Sequence, residues 1–282
     1  MGISNYDITA SAFHPGRTQD YELSILTGMD SFAYIIRDRN ENRLVAYRSY
    51  AFSNEERKDW SAAFGRLVAA DAKLNGTRYG KLTLAWDTPV LNLVPGPLFD
   101  EESTRSYLEQ LTLVGLEDEV RHEHLHELDA EIIYSARRDH LATAERTLGT
   151  DGSQHYAGSL LTAWAARSRR LNHQAISCAV RGQRMFVAGH RNGNLEYYNT
   201  FVYGSAQDGI YYMLLAYEQC DFAPDRIPLY LCGELTTEGE LYGQFYQYIE
   251  DIRFSEYGVP PAAPAELIHL PAHLYFDLLC LG

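Results

Sequence analysis

Two stretches of thirty residues decide the fold, because they repeat one pattern of apolar residues and turns. Residues 23–52 read LSILTGMDSFAYIIRDRNENRLVAYRSYAF, and residues 174–203 read QAISCAVRGQRMFVAGHRNGNLEYYNTFVY. At a constant offset of 151 positions (195 − 44), apolar residues fall on apolar residues, as in the pairs Ile25/Ile176, Ile36/Val187, Leu44/Leu195, Tyr47/Tyr198 and Phe52/Tyr203. Few of the aligned residues are identical, but the apolar phase and the turns agree throughout, which predicts an internal duplication.

Each stretch predicts three strands in a meander followed by a helix and a fourth strand. The turns contain residues that favour tight hairpins, such as Asn192-Gly193 in the second copy. Ser53 with Glu56, and Ser205 with Asp208, have the spacing of a capping box at a helix start. Apolar runs at 81–86 and 228–232 supply the last strand of each copy. The predicted order is β-β-β-α-β, twice. Between the copies we expect helices over 101–111 and 157–171 and a strand over 130–136.

This arrangement resembles the actin-like ATPase superfamily, whose domains have the ribonuclease H-like fold. The chain is more narrowly similar to a family of uncharacterised bacterial proteins with an actin-like fold, through Pro97–Glu102, Tyr198–Phe201 and Asp208–Tyr212. The resemblance, over roughly residues 20–255, implies an α/β fold of two such halves, each a mixed sheet with helices on both faces. We expect the halves at 1–165 and 166–258, and a linker and C-terminal segment at 259–282 that packs back on the body.

The resemblance also implies a nucleotide site, and the sequence departs from its pattern. The superfamily uses two hairpins, each with an Asp near a Gly turn, and a Gly-Gly turn after the last strand. The corresponding but degenerate positions here are Gly28, Asp30, Gly182 and Gly233. Asp30 follows its glycine instead of preceding it, residues 174–184 contain no Asp or Glu, and Glu234 replaces the second glycine.

These departures predict that the chain has no catalytic residues, takes no cofactor and does not hydrolyse ATP. We therefore expect a non-catalytic pseudo-ATPase that acts as a binding or scaffold module. The alternative is a nucleotide-dependent enzyme of the same superfamily, an ATPase or kinase with a rearranged phosphate site.

The composition and charge of the chain limit the classes of partner that it can bind. The formal charge of −14 opposes contact with nucleic acid and with anionic membranes. No stretch of 18 apolar residues predicts a membrane helix, the first six residues lack the apolar core of a signal peptide, and the four cysteines form no CxxC pair. These features predict a cytoplasmic protein with free, buried thiols. The 21 tyrosines, several in and after the second meander, predict a protein partner or self-association.

One further motif suggests chemistry. His122-Glu123-His124-Leu125-His126 matches the H-E-x-x-H pattern of zinc proteases, which must lie on a helix. The surrounding residues have no helical apolar stripe, so we predict an exposed polar strand or turn and no metal. If the first half has a ligand pocket, Asp87 and Asn92, which follow a strand end, are better candidates to line it.

Overall fold

The computed structural model describes residues 6–258 and 260–282. The N-terminal residues on which the prediction of no signal peptide rests therefore lie mostly outside the described part. Up to residue 155 the strands and α-helices are β1 (Tyr6–Thr9), β2 (Tyr21–Gly28), β3 (Ser31–Asp38), β4 (Arg43–Ala51), α1 (Asn54–Lys58), α2 (Trp60–Ala70), β5 (Lys81–Asp87), β6 (Leu91–Pro95), α3 (Thr104–Glu109), β7 (Asp118–Leu125), β8 (Ala130–Arg137), α4 (Arg138–Leu148) and β9 (Gln154–His155). They continue with α5 (Tyr156–Leu171), β10 (Gln174–Arg181), β11 (Arg184–Arg191), β12 (Asn194–Val202), α6 (Ala206–Gln219), β13 (Leu229–Gly233), α7 (Glu240–Tyr248), β14 (Ile252–Phe254) and α8 (Phe276–Cys280).

The two repeated stretches lie in sheets that share a five-strand order, to which the first sheet adds β1 at one edge. The first sheet has the order β1-β4-β3-β2-β5-β9 and the second the order β12-β11-β10-β13-β14. In each, the three meander strands pair antiparallel, and the strand after the helix joins the first meander strand in parallel. The predicted α/β fold with the order β-β-β-α-β in both halves is confirmed.

Both predicted capping boxes begin helices. Ser53 accepts the backbone N–H of Glu56, whose carboxylate accepts the N–H of Ser53 in return, and Ser205 with Asp208 does the same at α6. The first copy differs because its helix is broken at Asp59. The Asp59 backbone is non-helical, and its side chain accepts the N–H of Ala62 to start α2. The Ser–x–x–acid pattern therefore located both helix starts but did not reveal this second start.

Apolar residues on alternate positions divide the second sheet into two faces. Ile176, Cys178 and Val180 of β10 belong to a buried cluster that includes residues of α6 and α7. On the other face, Phe186 of β11 stacks on Trp164 of α5, with ring centroids 5.8 Å apart. Helices therefore cover both faces of this sheet, as predicted.

A third sheet, of order β6-β8-β7, interrupts the first half. Val94 and Ile133 pack with Leu108 of α3 in a small core of their own. The sequence predicted α3 and β8, but not β6, which is short and ends in a proline.

The described residues group into two compact units. One comprises residues 6–158, 261–269 and 281–282, and the other Ser159–Pro260 and Leu270–Cys280. The domain boundaries expected at residues 165 and 258 stay a prediction. Within the C-terminal segment, Leu267, Phe276 and Leu278 are buried. No helix in the described ranges combines the length and the apolar character needed to cross a membrane.

Candidate functional site

In the first unit, the turn between β2 and β3 carries Gly28 and Asp30. The Gly28 carbonyl accepts a hydrogen bond from the Trp60 indole, at 3.0 Å. A Cβ at Gly28 would lie 2.6 Å from the backbone oxygen of Asp87, so the close approach of β5 requires glycine here.

Asp30 is partly exposed and already has a counter-ion. Its carboxylate lies 2.8 Å from the Arg57 guanidinium, and both side chains are more than 40% exposed. Exposed ion pairs of this kind contribute at most about 1 kcal/mol. Asp30 is thus the acid that the sequence predicted at this turn, and a neighbouring cation offsets its charge.

In the second unit, Gly182 and Gly233 lie close together at the end of the sheet. Gly182, in the turn between β10 and β11, has φ +56, and Gly233, at the end of β13, has φ +88. A Cβ at Gly233 would lie 2.2 Å from the Val180 carbonyl oxygen, so no other residue fits there without distortion.

The Glu234 carboxylate joins these two turns. The Gly182 N–H donates to Glu234 Oε2 at 2.9 Å, and the Gly182 carbonyl accepts the Tyr203 hydroxyl at 2.9 Å. The Gly182 N–H, at one of the positions predicted for the nucleotide site, therefore already binds an anion that the protein itself supplies.

The cation beside this hairpin, Arg181, is also paired with carboxylates of the protein. Arg181 is 7% exposed, and its guanidinium lies 2.7 Å from Asp277 Oδ2 on α8 and 3.9 Å from Glu234 Oε1. One guanidinium thus faces two carboxylates. It cannot turn towards a phosphate without giving up its contact with the Asp277 carboxylate, which is 1% exposed.

A cavity of about 530 Å³ opens beside the Gly182 turn. The starts of α6 and α7 line it, and the unpaired N–H groups of helix starts attract anions. Three carboxylates, those of Glu234, Glu238 and Glu240, oppose that attraction. The cavity can hold a small molecule, but these carboxylates disfavour a polyanion.

The two other candidates are Asp87, the last residue of β5, and Asn92 of β6. Asp87 is buried, and the Asn92 amide donates to the Tyr107 carbonyl at 3.0 Å. Neither observation indicates a ligand pocket at this strand end.

The histidine motif lies on β7 up to Leu125, with His126 in the turn that follows, so a strand and a turn replace the helix of a zinc protease, as predicted. His122 and His124 share one exposed face while Glu123 faces the other way. Their Nδ1 atoms lie 3.0 and 2.7 Å from the two oxygens of Glu131, a partner that the sequence did not indicate. On the opposite face, burial raises the pKa of Glu123 to about 7. Across residues 6–258 and 260–282, no three His, Cys, Asp or Glu side chains are placed to hold a metal ion.

Comparisons with known proteins agree with this fold. A family model described as "Protein of unknown function (DUF3822)" matches residues 10–252. A crystal structure from Bacteroides thetaiotaomicron, of a protein with an actin-like ATPase fold and unknown function, is similar with a TM-score of 0.80 and 17% identity, covering 96% of this chain and 98% of that one.

A chain of the PilM–PilN type IV pilus biogenesis complex is similar with a TM-score of 0.59 and 12% identity, covering 92% of this chain and 97% of that one. No curated protein matches. At these identities the likenesses establish the fold alone, and the predicted actin-like fold is confirmed.

Proposed function

Since the chain belongs to the DUF3822 family of proteins of unknown function, we propose that it is a non-catalytic member of the actin-like superfamily that works as a binding or scaffold module. One observation carries the proposal: the Gly182 N–H at the phosphate-type hairpin is bonded to Glu234.

Phosphate binding at this hairpin would have a large electrostatic cost. A ligand must first displace a hydrogen bond to a charged group, worth about 1.5–3 kcal/mol. A phosphate charge about 4 Å from the Glu234 carboxylate would then cost about 4 kcal/mol more at the effective dielectric constant of a protein surface. Residues 174–184 also supply no acid to hold Mg²⁺. These terms together support the absence of ATP hydrolysis.

The alternative is a nucleotide-dependent ATPase or kinase with a rearranged site. One observation favours it, namely the cavity at the starts of α6 and α7. Its carboxylates and the Arg181–Asp277 pair argue for the non-catalytic function instead.

A protein partner fits the proposal. The pilus biogenesis relative is part of a complex between two proteins, which is a precedent for this fold as a binding module. The excess of acidic residues argues against nucleic acid. We place the protein in the cytoplasm on the strength of its unpaired cysteines.

Thermal unfolding with ATP or ADP, each with and without Mg²⁺, tests the proposal. A ligand at 100 times its Kd adds about 2.7 kcal/mol of stability, which a melting curve resolves. We expect no shift for the wild type. ATP or ADP should raise the melting temperature of Glu234→Ala, which frees the Gly182 N–H, more than that of Glu238→Ala. The second variant is the control, because it removes a carboxylate of the same cavity without freeing that N–H. A Mg²⁺-dependent shift of the wild type by ATP would contradict the observation that carries the proposal, namely that Glu234 keeps phosphate from the Gly182 N–H.

A further inference from the structure

The sheet edges of this molecule are not alike. Edge strands expose backbone N–H and C=O groups that can pair with another chain, and proteins protect them by shortness, charge or proline. Among residues 6–258 and 260–282, five of the six sheet edges are protected in this way: β1 has four residues, β9 two, β14 three including Arg253, β6 ends in Pro95, and β7 is rich in charged residues.

The sixth edge, β12, has none of these protections. It is nine residues long, reads NLEYYNTFV, and contains no Lys, Arg or Pro. Its single charge, Glu196, is paired with Arg191 at 3.2 Å. A long, aromatic and nearly uncharged strand is the composition that pairs most readily with another strand.

Hydrogen bonding shows which backbone groups face the open edge. The Tyr203 N–H donates to the Gln183 carbonyl across from it, at 3.0 Å. Because antiparallel pairs alternate, Thr200 and Val202 direct their backbone groups away from β11. The Thr200 N–H accordingly donates to the side chain of Asn199, at 2.8 Å, rather than to β11.

Apolar side chains flank this edge on both faces. On one face, Phe201 stacks on Tyr212 with centroids 4.5 Å apart, and Tyr211 meets Tyr212 edge-on at 5.5 Å. Tyr211 is 65% exposed, and on the opposite face Val202 is 66% exposed. An added strand would therefore find an apolar contact for side chains on both of its faces. Of the six aromatic residues at positions 198, 201, 203, 211, 212 and 217, only Tyr217 is fully buried.

Charge distinguishes two candidates for the added strand at β12, a second copy of this chain and a basic segment of another protein. The chain has a formal charge of −14. A second copy would carry the same excess of acidic residues, whereas basic side chains on a partner would complement it.

We propose that β12 binds an extended segment of a partner protein, with alternating apolar and basic residues, as an added strand. This deepens the binding-module function proposed above and rests on it.

A labelled nine-residue peptide of alternating valine and arginine tests the proposal by fluorescence anisotropy. Thr200→Pro removes an outward N–H without losing a bond to β11, and should weaken binding at least tenfold. Thr200→Val, the matched control, should bind as the wild type does. Asn199→Ala, which uncovers the Thr200 N–H, should bind more tightly.

Two control peptides separate strand addition from charge attraction. A valine–glutamate peptide and a valine–arginine peptide with N-methylated valine amides should both bind at least tenfold more weakly. Equal binding by the N-methylated peptide, or by Thr200→Pro with an unchanged melting temperature, overturns the proposal. So does a wild-type dimer that Thr200→Pro dissociates, since the occupant would then be a second copy. ATP turnover would refute the non-catalytic function and leave these peptide results unchanged.

Discussion

Removing the Asp277 carboxylate tests the electrostatics of the second hairpin. Asp277→Ala would leave the Arg181 guanidinium, 7% exposed, without its nearest counter-ion. Breaking a buried pair by removing one partner costs about 3–5 kcal/mol. Because Glu234 remains 3.9 Å from Arg181, we expect the free energy of unfolding to fall by about 3 kcal/mol, at the lower end of this range. For a unit of this size, that corresponds to a drop in Tm of roughly 12 °C.

Hydrogen exchange read by mass spectrometry is the suitable assay, because it follows each unit separately. Peptides from β10 and β13 should lose protection in Asp277→Ala, while those from β2 and β5 should not. Asp277→Asn, which keeps an acceptor, should lose less. The double variant Arg181→Met with Asp277→Leu should regain most of the stability, since neither charge of the Arg181–Asp277 pair then remains. If the free energy of unfolding of Asp277→Ala falls by less than about 1 kcal/mol, the Arg181 guanidinium does not depend on the Asp277 carboxylate as described.

Urea unfolding of four further variants tests particular environments in the structure. The pKa of Glu123 is raised to about 7 by burial, so its contribution to stability falls as pH rises from 4.5 to 7, and Glu123→Gln should gain up to about 3 kcal/mol over the wild type at pH 8. The pKa of His190 is lowered to about 4 by burial, so wild-type stability falls as pH drops below 6.5, and His190→Leu should lessen that loss. Gly233→Ala should lose more than about 2 kcal/mol, whereas Gly243→Ala, in open space on α7, should gain up to about 1 kcal/mol. Three results would contradict the environments assigned to these residues. They are equal stabilities of Glu123→Gln and the wild type at pH 8, equal losses of stability at low pH in His190→Leu and the wild type, and equal stabilities of Gly233→Ala and Gly243→Ala.

Much of the fold could be predicted because its signals are local. The apolar phase of the two meanders and the Ser53 and Ser205 caps lie within a few residues of the elements they specify. The polar strand at His122 to His126 was predicted for the same reason: an alternating pattern without a helical stripe. Strand β6 was missed because five residues ending in Pro95 carry too little periodicity.

The candidate site depended on contacts between distant residues. The sequence indicated a charge at Glu234, but not its hydrogen bond to Gly182, 52 positions earlier. It also gave no sign that Asp277, 96 positions after Arg181, would neutralise that guanidinium. Side chains this far apart meet only once the sheet and the C-terminal helix are in place.

Measuring ATP turnover by the purified protein is the direct test of the proposal that the chain is non-catalytic. Phosphate release should be measured with ATP and Mg²⁺ for the wild type and Asp30→Ala, the acid that remains at a predicted nucleotide-site position. A non-catalytic protein should give equal rates for both, indistinguishable from a blank without protein. Mg²⁺-dependent turnover that Asp30→Ala abolishes would contradict it and would identify the chain as an enzyme with a rearranged site.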